Sequence, residues 1–114
     1  MNLALKLVLL LNKWILFLFK WIFEIEIPNS VSMIWKSSFF KCTSLTHITI
    51  PPSVASIDSY AFDECVSLIE VEILSKLTFV PEGAFSGCSK LAKILIPSSV
   101  LSIGSYAFSW CSSL

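Results

Sequence analysis

Cys42, Cys65, Cys88 and Cys111 are the side chains of this 114-residue chain best suited by type to do chemistry, and each lies 23 positions from the next. Thiols in such a set bind metal, form disulfides or attack electrophiles. A zinc site draws on close pairs such as Cys-x-x-Cys, and a 23-residue interval supplies none. The even count leaves a disulfide framework open, because neighbouring coils of a stacked chain lie within bridging distance. Side chains stacked one above another point the same way, however, which disfavours the bridge. Free cysteine is also among the most buried residue types. The set therefore reads as a ladder of buried free thiols.

The remaining chemistry is sparse. His47 is the only histidine, and no nucleophile at a constrained turn accompanies it. Serine is abundant but falls in turn positions, where its hydroxyl serves the backbone. With only Gly83, Gly87 and Gly104, the chain has no glycine-rich phosphate loop. No catalytic constellation, metal site or cofactor is indicated, and the chain is not read as an enzyme. Eight basic residues balance eight acidic ones, so there is no cationic excess for nucleic acid. With 55% of residues hydrophobic, the composition also excludes a disordered chain.

What positions the cysteines is a repeat. Phe39, Phe62, Phe85 and Phe108 keep the same 23-residue step, as do Leu45, Leu68, Leu91 and Leu114, and Ile27, Ile50, Ile73 and Ile96. A fixed period of this size marks a solenoid whose units bury their apolar faces against their neighbours. Four units follow without a gap at 22–44, 45–67, 68–90 and 91–113, and Leu114 begins a fifth. In each, a stretch such as Leu45-x-x-Ile48-x-Ile50 predicts one short strand, ended by Pro51. Ala61, Phe62 and Cys65 have the spacing of one or two helical turns, with Asp58 as N-cap and Pro81 at the matching place in the third unit. The expected architecture is an α/β solenoid with one parallel strand and one helical turn per coil.

The string Leu-x-x-Ile-x-Ile-Pro-x-x-Val-x-x-Ile, followed by Ala-Phe-x-x-Cys, resembles the BspA-like leucine-rich repeat over residues 22–114. That resemblance implies a surface-exposed or secreted repeat array, of host-associated bacteria and anaerobic protists, often linked to adhesion. The chain departs from broader leucine-rich repeats where many carry a ladder of Asn. Ser30, Ser53, Lys76 and Ser99 stand there. The turn after each strand should then be less uniformly satisfied.

If Leu45, Ile48 and Ile50 point inward, Thr46, His47 and Thr49 point outward. The 23-residue step then gives two outer columns, Glu24/His47/Glu70/Lys93 and Glu26/Thr49/Glu72/Leu95. The plain reading is a solvated sheet surface with charges paired across strands, each pair contributing on the order of 0.2–1 kcal/mol. The sharper one is a recognition patch for a basic partner segment, made of Glu24, Glu26, Thr46, His47, Thr49, Glu70, Glu72 and Lys93. A cation held by His47 and the carboxylates is the third.

Residues 1–21 are nearly all apolar, with Lys6, Lys13 and Lys20 seven apart. As a helix preceding the array, the segment suits membrane association or a signal anchor. Lys13 near mid-membrane argues against a span, at about 2.5–3.5 kcal/mol. A decayed repeat or N-terminal cap, and an origin outside the native coding sequence, are the other readings. No polar cap is visible at the far end, so the chain reads as a fragment whose open edge invites end-to-end self-association. The expected function is a non-enzymatic protein-interaction scaffold of adhesion type, at a cell surface or secreted. The alternative is a structural segment of a longer, cytoplasmic solenoid, which the free thiols would suit.

Overall fold

The computed structural model describes residues 23–114, so the expected N-terminal helix over 1–21 lies outside the described residues. Eight short strands follow one another: β1 (Glu24–Glu26), β2 (Met33–Ile34), β3 (His47–Ile50), β4 (Ser56–Ile57), β5 (Glu70–Ile73), β6 (Phe79–Val80), β7 (Lys93–Ile94) and β8 (Ser102–Ile103). Strands β1, β3, β5 and β7 form one parallel sheet in that order, with partner residues 23 apart. The chain is a parallel β-solenoid. Its core is a set of single-residue columns, among them Leu45/Leu68/Leu91 and Phe39/Phe62/Phe85, all buried.

Each coil carries a second short strand that the single-strand expectation missed. β2 pairs with β4, and β6 with β8, both in parallel. They place Ile34, Ile57 and Val80 in the core. Two residues of alternation are too few to announce a strand in the sequence.

The helical turn is corrected. Among the described residues there is no helix, and the stretch from Asp58 to Cys65 is a run of tight turns. The cause lies in where the backbone hydrogen bonds go. The N–H groups of Ser38, Phe40 and Cys42 donate three residues back, to Trp35, Ser37 and Phe39. The alternate groups, on Ser37, Phe39 and Lys41, instead donate to the carbonyls of Ser59, Ala61 and Asp63 in the next coil. A helix needs every N–H to return four residues along its own chain. Here every second donor is committed to a neighbour. The alternation also forces a positive φ at two positions per coil, Ser37 and Lys41, Tyr60 and Glu64, Gly83 and Gly87, Tyr106 and Trp110.

The phenylalanine rings stack in near-parallel planes, with centroids 4.8, 5.3 and 5.5 Å apart from Phe39 to Phe108. Such spacing follows the separation of neighbouring strands, about 4.8 Å. Beside them the cysteines form a second ladder. The Sγ of Cys65, Cys88 and Cys111 donates to the carbonyl of Phe39, Phe62 and Phe85 in the preceding coil, at 3.1, 3.2 and 3.1 Å. All four cysteines are free thiols.

Pro28, Pro51 and Pro97 lie just beyond their strands, and their carbonyls accept from Val31, Val54 and Val100 to close a tight turn. The third coil has Leu74 in that column. Leucine has the N–H that proline lacks, and it donates to Ile50 O at 2.9 Å. The ladder runs one residue further there, and Leu74 is left exposed beside the sheet. In the serine column of this turn, the Ser53 and Ser99 hydroxyls have no hydrogen-bond partner among the described residues.

Candidate functional site

Alternation along β1, β3 and β5 buries Ile25, Ile48 and Val71 and turns the residues between them outward. The register then sets the outer face. His47 lies between Glu24 and Glu70, and Thr49 between Glu26 and Glu72. Residues two apart on one strand are about 7 Å apart, and strands two apart in a sheet about 10 Å. Four carboxylates therefore frame a rectangle with His47 and Thr49 at its centre. Lys93, beyond Glu70 on β7, bonds it with Nζ 3.7 Å from Oε1. Glu24, Glu26 and Glu72 have no ion-pair partner among the described residues.

Thr46 sits one residue ahead of β3 and is half-buried rather than displayed. Its hydroxyl donates to Phe23 O at 3.2 Å, and His47 Nδ1 lies 3.1 Å from the same oxygen. With its proton given to Phe23, Oγ1 accepts from Nδ1–H. The histidine is thereby held as the tautomer whose Nε2 is available to a partner.

The face is not flat. An open groove of about 520 Å³ is lined by Glu24, Glu26, His47, Thr49, Pro52 and Leu74, among others. A second depression of about 380 Å³ is lined by Glu70, Glu72, Leu74, Lys93 and Leu95. Leu74 borders both. The sequence columns pointed to the charged residues but missed Leu74 and Pro52. The available signal was the interruption of the proline column at position 74.

No group of three or more His, Cys, Asp or Glu side chains among the described residues is close enough to hold a metal ion. The cysteine ladder is inward, and the thiols of Cys65, Cys88 and Cys111 are tied to carbonyls. Around Cys65, hydrogen bonding with Cys42 and Cys88, together with burial, holds the thiol well above the ordinary value. A raised thiol pKa means protonated sulfur at neutral pH, which is neither nucleophile nor metal ligand. The described residues contain no helix long and apolar enough to cross a membrane.

The sequence matches the model of the BspA type leucine-rich repeat region over residues 16–114, in six copies. No curated protein matches it. Among solved structures, a leucine-rich repeat protein from Bacteroides ovatus is 37% identical, with a TM-score of 0.70, covering 82% of this chain and 24% of its own. The leucine-rich repeat protein of T. pallidum is 32% identical, with a TM-score of 0.77, over 82% of this chain and 44% of its own. A leucine-rich cell surface protein from Faecalibacterium prausnitzii is 30% identical, with a TM-score of 0.72, over 82% and 31%. The chain thus spans less than half the length of each of these neighbours. With the family model covering most of its length, the chain belongs to the BspA-type leucine-rich repeat family.

Proposed function

We propose that the outer face of the four-stranded sheet is a protein-interaction surface for an extended, basic segment. One observation carries the reading: four carboxylates frame His47 and Thr49, one lysine faces them, and the surface between is grooved. A strand-like segment whose side chains alternate would set cations against Glu26 and Glu72 and an apolar residue against Leu74. Repeat solenoids commonly use their extended surfaces in this way. Charge on such a face governs the rate and specificity of capture more than affinity. The same reading puts the protein at a cell surface, supported by the Faecalibacterium neighbour described as a cell surface protein.

The test is calorimetric titration with extended peptides in which Lys alternates with apolar residues, beside Glu-containing controls. The Lys peptides should bind, and added salt should weaken them. In the Glu26→Lys/Glu72→Lys variant the affinity should fall on the order of tenfold with the circular dichroism spectrum unchanged. Equal binding by the two peptide classes, or by the variant and the parent, would overturn the assignment.

A further inference from the structure

His47 sits on β3, an inner strand of the main sheet, with β1 on one side and β5 on the other. It is the chain's only histidine, and it is exposed. The titratable groups that face it are Glu24 and Glu26 on β1 and Glu70 and Glu72 on β5, with Lys93 on β7 beyond them. Carboxylates and ammonium groups ordinarily hold one charge between about pH 5.5 and 8, whereas imidazole ordinarily changes its own there. Orientation makes that change felt at the surface. The Thr46 hydroxyl donates to Phe23 O, so Nδ1–H donates to Thr46 Oγ1 and Nε2 is left as an acceptor. The places matching Thr46 in the other coils hold Phe23, Ile69 and Ala92, whose side chains have no hydroxyl to orient a ring. Position adds to this. His47 lines the groove beside Glu24, Glu26 and Thr49, about 4.8 Å by strand spacing from Glu24 and from Glu70. Three acceptors thus cross the sheet in a row, and Lys93 Nζ stands beyond them, 3.7 Å from Glu70.

We propose that His47 reads the captured segment's central cation, its neutral imidazole accepting from a lysine or arginine and its imidazolium rejecting one. This deepens the sheet-face reading and rests on it. In the neutral form, Nε2 accepts an N–H of the cation that Glu24 or Glu70 also holds. In the protonated form the same nitrogen carries a hydrogen and the ring a positive charge. The acceptor is then lost, and a like charge faces the cation. Capture and protonation therefore oppose each other, and each weakens the other by the same factor. A like charge at close range on a partly screened surface costs on the order of tenfold in affinity. The segment is held at neutral pH and released on acidification.

The experiment is calorimetric titration of the full chain with the Lys-alternating peptide, in steps from about pH 8 to about pH 5.5. Two buffers of different ionisation enthalpy report the protons exchanged. The affinity should fall on the order of tenfold across that range, and binding in the middle of it should release up to about one proton per peptide. His47→Gln keeps an acceptor and cannot take a charge. It should bind at every pH about as the parent does at the alkaline end, and release no proton. His47→Lys fixes the charge and should bind about tenfold more weakly than the parent at the alkaline end. The same pH profile in the parent and in His47→Gln would overturn the role of His47 while the sheet-face reading stands. Tighter binding at the acid end would do so too. If no Lys peptide binds even at about pH 8, the sheet-face reading itself falls, and the role of His47 falls with it.

Discussion

Cys65 is enclosed between Cys42 and Cys88, and its hydrogen goes to the Phe39 carbonyl, which also accepts the Cys42 N–H. Cysteine thus holds its column as a small apolar filler with one donor. Cys111, at the end of the ladder, is half-buried, and burial pushes its thiol up to about 11 from the ordinary 9.0. A group whose folded pKa is raised favours the protonated folded state. Its contribution is complete below pH 9.0 and is lost as pH rises toward about 11. Two results are expected. In the native chain a thiol reagent at pH 8 modifies Cys111 alone, at a rate climbing about tenfold per pH unit below its pKa. The thermal midpoint falls across pH 9 to 11 more in the parent than in Cys111→Ala. Rapid native-state modification of all four cysteines would show that the ladder is not closed.

The turn run, rather than the main-sheet strands, is the element that sequence left ambiguous. Ala61, Phe62 and Cys65 have a spacing that a helix and a chain of tight turns share. The distinguishing information is a positive φ at Tyr60 and Glu64, residues that do not advertise it. Only the third coil does, through Gly83 and Gly87, four apart and both left-handed. Glu64 offers a test in which the two structures give opposite signs. Glycine inside a helix costs roughly 1 kcal/mol. At the observed φ of 58°, Glu64→Gly instead relieves about 1–2 kcal/mol and gives part of it back as unfolded-chain entropy. The ion pair with Lys41, 3.6 Å long and half-exposed, contributes little against this. Chemical denaturation should find Glu64→Gly about 0.5 kcal/mol more stable and Glu64→Val at least about 1 kcal/mol less stable. A glycine variant less stable than the valine one would restore the helical reading. The strands of the main sheet were legible for the opposite reason. Their inward columns repeat at 23 and alternate at two, and no other element does both. The outer glutamates followed directly, but the groove beside them did not, because Leu74 lines it only where a missing proline lets the ladder run on.

At the scale of the whole molecule, each coil touches only its neighbours, so stability should behave as a sum of junctions along one axis. The phenylalanine column makes this measurable, because four copies of one side chain occupy different places in the stack. Phe62 is fully buried between Phe39 and Phe85, at 4.8 and 5.3 Å. Phe108 is part-exposed and stacks on Phe85 alone among the described residues. Removing the inner ring leaves a cavity that both neighbours border, at about 3–5 kcal/mol. Removing the outer one opens onto solvent and forfeits one stacking contact, so about 1–2 kcal/mol is expected from the smaller buried area. Urea titrations of Phe62→Ala and Phe108→Ala should therefore differ by about 2 kcal/mol. The inner variant should also lose cooperativity, since a weakened central junction lets the two halves of the stack unfold separately. Equal costs with an unchanged denaturant slope would mean that the array unfolds as one indivisible core rather than as coupled coils.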